Sequence, residues 1–302
     1  MIYGGELVVN LLHLCETMTT RWLSEEQIPV PINTLKKFAT RNNLILKDKF
    51  NGYENKRFYH LVRSRIPVYF ISGPEQKNFR FMDISDLHIG HPCFDESALR
   101  ERLRYAVRNN IKLVFIAGDV FEGVCTKEYS DSFVTQVSQA FNIFKDYPLT
   151  YYAINGNHDY SFEQVSLPNP IKTLSHKLQK AGIDFHFFDV YLMDFVICGV
   201  IKRVMHLENY DYNKKHVFAK IKVQMFNKED LLSNSYRGRQ YPVRFFQVGH
   251  IHDNDKGCVF YAKKRIFISQ PGSFIKRKFK EERANVIKGR IVNQKIYIQY
   301  SI

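Results

Sequence analysis

From residue 79 onward short apolar runs alternate with amphipathic stretches, and that rhythm constrains the fold more than any other feature of the chain. Residues 79–84 read as a strand, 95–109 as a helix with Leu99, Leu103 and Val107 on its apolar face, and 113–117 (LVFIA) as a strand buried on both faces. Residues 127–147 read as a second helix, 149–154 as a third strand, and 169–180, closed by Gly182, as a further helix. Beyond that the chain turns strand-rich, with runs at 185–193, 195–201, 217–226, 243–248 and 258–269 and a last hairpin at 285–300. Alternation of this kind builds an α/β sheet with helices on both faces and its functional groups at the carboxyl ends of the strands.

Those strand ends carry residues that bind metals. The stretch FMDISDLHIG at 81–90 delivers Asp86 and His88 together, two residues apart and so on one side if the backbone there stays extended. The next strand ends in Gly118-Asp119-Val120-Phe121-Glu122 and the third in Gly156-Asn157-His158-Asp159; after 243–248 come Gly249-His250-Ile251-His252. A glycine before each of the last three sets lets the backbone leave the strand sharply. Any one set is common in surface turns. Four in order, mixing oxygen and nitrogen donors, suit a divalent cation such as Mn2+, Zn2+ or Fe2+.

The ordered set Asp-x-His, Gly-Asp, Gly-Asn-His-Asp and Gly-His-x-His, followed by Gln270-Pro271-Gly272-Ser273, resembles the calcineurin-like metallophosphoesterase superfamily over about residues 80–302. The resemblance implies a four-layer sandwich of two mixed β-sheets flanked by helices. It also implies two divalent metal ions, Mn2+ first among Zn2+, Fe2+ and Mg2+. By position, Asp86, His88 and His252 would hold the first ion, Asp119 would bridge, and Asn157 and His250 would hold the second. His158 would act on the leaving oxygen without binding metal, and Asp159 would orient a neighbouring imidazole. One histidine of the pattern has no obvious counterpart. Its strand is expected at 217–226, before a helix at 227–235, and His216 would sit at the wrong end, about 30 Å away. His206, Gln224 and Asn227 are the replacements left open, while His176 and His186 read as a helix face and a strand surface.

Ahead of this lies a smaller unit. Helical spacing at 4–18, 20–27 and 31–43, then a hairpin over 47–62 turning at Asn51-Gly52, resembles a winged helix. The expected division is a winged-helix-like domain at 1–65, a linker at 66–79 and the catalytic domain at 80–302. Lys36, Lys37 and Arg41 on the third helix would contact nucleic acid, with Lys47, Lys49, Lys56 and Arg57 on the wing; a protein partner could dock there instead.

Charge bears on the substrate. The net charge is +14, and residues 201–302 hold 22 basic against 8 acidic residues. A polyanion would be drawn to that part, and Lys276, Arg277, Lys278 and Lys280 follow the Pro-Gly-Ser turn that neighbours the site. Phe121 resembles the DNA-repair exonuclease branch. The expected activity is therefore hydrolysis of DNA or RNA phosphodiesters. The alternatives are a small-substrate phosphatase or cyclic-nucleotide phosphodiesterase, or a catalytically weakened module that binds nucleic acid or protein. Five scattered cysteines argue against a disulfide framework, and the lack of a signal peptide or an apolar run of membrane-spanning length leads to the expectation of a cytoplasmic protein.

Overall fold

A computed structural model describes residues 18, 23–35, 44–51, 56–63, 66–76, 78–124, 132–206, 233–250, 255–261, 264–271, 273–275, 286–292 and 295–301. The chain divides into two compact units, residues 1–66 with 209–215, and residues 67–208 with 216–302.

In the first unit β1 (Leu23–Ser24), β2 (Leu44–Asn51) and β3 (Lys56–Arg63) form an antiparallel sheet in the order β1-β3-β2. The β2–β3 hairpin runs in unbroken register from Leu44↔Arg63 to Asn51↔Lys56, so a hairpin forms where one was expected, but Asn51, expected in the turn, is a paired strand residue. Residues 23–24 are a strand followed by a 3-10 turn at Glu25–Gln27, where a helix over 20–27 was expected. Ser24 explains the change, since its extended backbone and a hydrogen bond from its N–H to Gln27 Oε1 (2.9 Å) cap a short turn. Residues 32–35 are helical, but Lys36, Lys37, Arg41 and the helix at 4–17 lie outside the described residues.

The second unit continues with β4 (Val68–Phe70), β5 (Asn78–Ile84), α1 (Glu96–Arg108), β6 (Leu113–Ala117), α2 (Phe133–Phe144), β7 (Thr150–Ile154), α3 (Asn157–Gln164), α4 (Pro170–Lys180) and β8 (Phe185–Phe188). Then follow β9 (Leu192–Ile197), β10 (Val200–His206), β11 (Ser233–Tyr236), β12 (Arg239–Gly249), β13 (Asp255–Tyr261), β14 (Lys264–Gln270), β15 (Val286–Val292) and β16 (Lys295–Ser301). Six strands pair as β16-β15-β5-β6-β7-β8, with β5 to β8 parallel. Seven more form a second mixed sheet, β13-β14-β12-β10-β9-β4, with β11 on β12. β4 falls within the stretch expected as a linker and pairs in parallel with β9.

Period-two alternation sorts the first sheet's side chains into two cores. Met82, Val114 and Tyr151 pack with Leu99, Leu103, Val137, Phe144 and Leu174 of the helices. Their neighbours Phe81, Phe115 and Tyr152 pack with Phe195, Val204 and Phe245 of the second sheet. The first sheet therefore has helices on one face and a sheet on the other, not helices on both.

The helices start where side chains can satisfy the free N–H groups. Asp95 accepts from Ala98 N, Ser132 from Thr135 N, and Asn169 from Ile171 N and Lys172 N, with Pro170 in the first turn. On α1 the buried stripe is Leu99, Leu103 and Ala106, leaving Val107 43% exposed. Two expected strands are hairpins instead. The run 195–201 is interrupted by Cys198 (φ 50°) and Gly199 (φ 78°), both left-handed as a two-residue hairpin turn requires. The run 258–269 divides between β13 and β14, which pair antiparallel up to Tyr261↔Lys264. Residues 217–226 lie outside the described residues, and 233–235 are strand instead of helix. No helix among the described residues is long and apolar enough to cross a membrane.

Candidate metal centre

The ends of β5 and β6 run on side by side after the strands stop. Asp86 N donates to Gly118 O (3.2 Å), His88 N to Asp119 O (3.1 Å), Ile89 N to Val120 O (3.0 Å) and Glu122 N back to Ile89 O (3.0 Å). The backbone is not extended there. Asp86, His88 and Asp119 have φ of 52°, 51° and 49°, and His250 at the end of β12 has 80°. Non-glycine residues held in this region cost on the order of 1–3 kcal/mol each and concentrate where a side chain must be aimed. Of the three glycines, Gly118 (φ 78°) turns the chain, whereas Gly156 and Gly249 are required for space. A Cβ at Gly156 would collide with Asp119 N and Oδ1, and one at Gly249 with Ala117 O.

Asp119 sits at the middle of what these ends assemble. Its Oδ1 accepts from His158 N (2.9 Å). Its Oδ2 is buried with no hydrogen-bond partner among the described residues, 3.2 Å from His206 Nε2 and 4.0 Å from His88 Nε2. Two groups of ligand atoms share this carboxylate, His88 with Asp119 and His158, and Asp119 with His206 and His250; within each group the atoms lie within 4.8 Å of one another. Asn157 Oδ1 joins the second group, 3.0 Å from both His206 Nε2 and His250 Nδ1. An orphaned carboxylate oxygen between imidazole nitrogens fits a bridging ligand between two cations.

The imidazoles are fixed in orientation through Nδ1. Nδ1–H of His206 donates to Ala117 O (2.7 Å) and that of His158 to Glu122 O (2.6 Å), while Nδ1–H of His88 donates to Glu122 Oε2 (2.9 Å). That leaves Nε2 as the nitrogen each ring turns to the centre, and in His206 it lies 3.0 Å from Asn157 Oδ1 and 3.2 Å from Asp119 Oδ2. Asp86 is fully buried and its carboxylate accepts from His250 N (2.9 and 3.1 Å). The Pro-Gly-Ser turn secures that loop, because Ser273 Oγ (3.0 Å) and Phe274 N (3.1 Å) both donate to Asp86 O.

Charge states follow the same arrangement. Burial pushes the Asp119 carboxyl up, but His206, His158 and His88 outweigh it and hold it well below the usual range. Burial pulls His206 down, but Asp119 and then Asp86 raise it to about 9. Burial and the neighbouring His206 lower His250 to about 4, and burial with the Asp119 charge raises Asp86 to about 6 against His206 and His88. In the metal-free centre the proton on His206 stands where a cation would.

The structure thus brings together Asp86, His88, Asp119, Asn157, His158 and His250, while His252, Gln224, Asn227, Lys276, Arg277, Lys278 and Lys280 lie outside the described residues. Of the replacements left open, His206 is the one among the described residues, and it reaches the centre. β10 pairs in parallel with β12 and sets His206 opposite Gly249, so both strands end at the centre. Asp159 does something other than orient an imidazole. Its buried carboxylate accepts from Phe121 N (2.9 Å), Gly156 N (3.0 Å) and Val120 N (3.3 Å), tying the β6 loop to the start of α3. The carboxylate that orients an imidazole is Glu122, which sequence reasoning passed over although it closes the Gly-Asp motif. Phe121 is fully buried among the helix-side core residues, so its identity reflects packing.

The family comparison agrees with the order of these motifs. The calcineurin-like phosphoesterase family matches residues 79–266. A solved structure of a conserved uncharacterised protein, predicted phosphoesterase, from Streptococcus pneumoniae TIGR4 is similar at a TM-score of 0.37 and 14% identity, covering 74% of this chain and 88% of that one. No curated protein matches the chain. On the family match, which spans every ligand motif from Asp86 to His252, the chain belongs to the calcineurin-like phosphoesterases, metal-dependent hydrolases of phosphate esters.

Proposed function

We propose that the chain hydrolyses phosphodiester bonds of nucleic acid at a pair of divalent ions, Mn2+ foremost. Asp86 and His88, with His252, would hold one ion; Asn157, His206 and His250 would hold the other; Asp119 would touch both. The observation that carries this reading is the buried Asp119 Oδ2 set between two imidazole nitrogens, 3.2 Å from His206 Nε2 and 4.0 Å from His88 Nε2. Such an ion pair, when bound, polarises the phosphoryl oxygens and lowers the pKa of a water molecule held between them.

The remaining work falls to the chain. His158, half-buried and held by Glu122 O, presents Nε2 for protonating or stabilising the leaving oxygen. Its backbone N–H and the amino end of α3 face the Asp119 carboxylate, adding positive potential where phosphate charge would collect. Glu122 fixes the His88 ring, and Asp159 fixes the loop on which Asp119 sits.

The choice of nucleic acid rests on the 22 basic residues of 201–302, among them Lys276, Arg277, Lys278 and Lys280, and on the winged-helix resemblance of the first unit with Lys36, Lys37 and Arg41. His206, placed beside Asp119 and Asn157, supports the reading as an active enzyme over that of a weakened binding module. Incubation with Mn2+ and three substrates decides: DNA, bis-p-nitrophenyl phosphate and the corresponding monoester. Cleavage of DNA and the diester over the monoester is expected. Monoester turnover without DNA cleavage would move the assignment to a small-substrate phosphatase.

A further inference from the structure

Between the two sheets an aromatic core is crossed by one layer of polar side chains, all of them fully buried: Asp83, Lys202, Gln247 and Ser269. Lys202 on β10 places Nζ 2.7 Å from Asp83 Oδ1 on β5. The ammonium sits over three rings, Phe81 (4.6 Å), Phe115 (4.8 Å) and Phe245 (4.1 Å). Ser269 Oγ on β14 donates to Asp83 Oδ2 (3.0 Å), and Gln247 Nε2 on β12 donates across to Ile84 O (2.8 Å) and Phe115 O (3.1 Å). Apart from the contact between Lys202 and Phe245, which lies within the second sheet, each of these contacts joins one sheet to the other.

A buried ion pair is poor value for stability, since well-packed apolar groups of similar size often serve as well or better. Its directional contacts do fix register, which an apolar interface permits to slide. The position of this layer gives register a purpose. Asp83 lies three residues before Asp86, Lys202 four before His206 and Gln247 three before His250, about 10–13 Å along each strand. One half of the metal centre comes from the first sheet and the other from the second, and bridging demands placement to within about 0.5 Å.

We infer that the Lys202–Asp83 pair, with Gln247, is a positioning device that sets the spacing between the two halves of the metal centre. This rests on the two-ion reading. The test is the double variant Lys202→Met with Asp83→Leu, compared with the wild type by thermal unfolding, Mn2+ titration and electron paramagnetic resonance of the Mn2+-loaded protein. Unfolding should stay near that of the wild type, while the weaker Mn2+ binds at least about 10-fold less tightly, the scale of lost supporting contacts, and the spin-coupled signal of a bridged pair gives way to isolated ions. Gln247→Leu, which removes both bonds to β5 and β6 carbonyls and leaves the charges intact, should shift the same readouts in the same direction and carries the test if the double variant does not fold. A folded variant holding two coupled Mn2+ ions at wild-type affinity would overturn the inference. A wild type that binds fewer than two ions would overturn the two-ion reading, and the inference with it.

Discussion

His206 Nε2 lies 3.2 Å from Asp119 Oδ2, while its Nδ1–H is held by the carbonyl of Ala117 at 2.7 Å. The second contact settles which nitrogen faces the centre, and the first aims it at the shared carboxylate. His206→Ala should therefore lose one of two bound Mn2+ ions and lower diester turnover by about 100-fold or more, the scale on which outer and inner ligands of catalytic metals act. Elemental analysis and steady-state kinetics on the same preparation check it; two full equivalents of metal in the variant would contradict it.

The same pair makes metal loading pH-dependent. With His206 raised to about 9 from its ordinary 6.5, the metal-free imidazole is protonated at neutral pH and must lose that proton to bind a cation. Affinity for the second ion should rise with pH up to about 9 and level off above it, with about one proton released per ion at pH 7.5. Calorimetry in buffers of different ionisation enthalpy reads the proton directly. The sign for stability is opposite. A folded pKa above the unfolded one stabilises the metal-free protein fully below about 6.5, and that contribution is lost as pH rises through about 9.

His158→Ala should leave metal content nearly intact while turnover falls by about 100-fold, the usual loss for a positioned acid or charge stabiliser. Because His158 lies in one ligand group with His88 and Asp119, loss of an ion in the variant would show instead that it binds metal.

Glu122→Leu removes the acceptor for His88 Nδ1–H, leaving the ring free to turn. Affinity for the first ion should drop by about 10–100-fold. Glu122→Gln, which keeps an acceptor oxygen but not the charge, should fall between the two. Equal affinities for all three proteins would remove Glu122 from the site.

Much of this was legible in the sequence because the relevant residues follow strands with strong apolar patterns. Leu113–Ala117 (LVFIA) needs no context to read as a buried strand, and Asp119 follows it at once. His206 was hidden for a local reason. The hairpin turn at Cys198-Gly199 has a cysteine at a left-handed position where asparagine or aspartate is usual, so the run looked like one strand ending near 201. Moving the strand to Val200–His206 turns a stray histidine into a strand-end residue. Asp159 and Glu122 exchanged roles because carboxylate type and spacing cannot tell a backbone acceptor from an imidazole acceptor; only the fold of the two loops decides that. The left-handed backbone at Asp86, His88 and Asp119 has no sequence signature at all, and tertiary contacts over-determine it.

If one carboxylate, that of Asp119, serves two ions, the substitution Asp119→Asn, which keeps shape and removes charge, takes away what holds them together. Hydrolysis of bis-p-nitrophenyl phosphate with saturating Mn2+, measured with the metal content of the same sample, should fall by about 1,000-fold or more, with fewer than two ions retained. Two retained ions with wild-type turnover, in a preparation free of contaminating phosphatase, would contradict the shared-carboxylate centre.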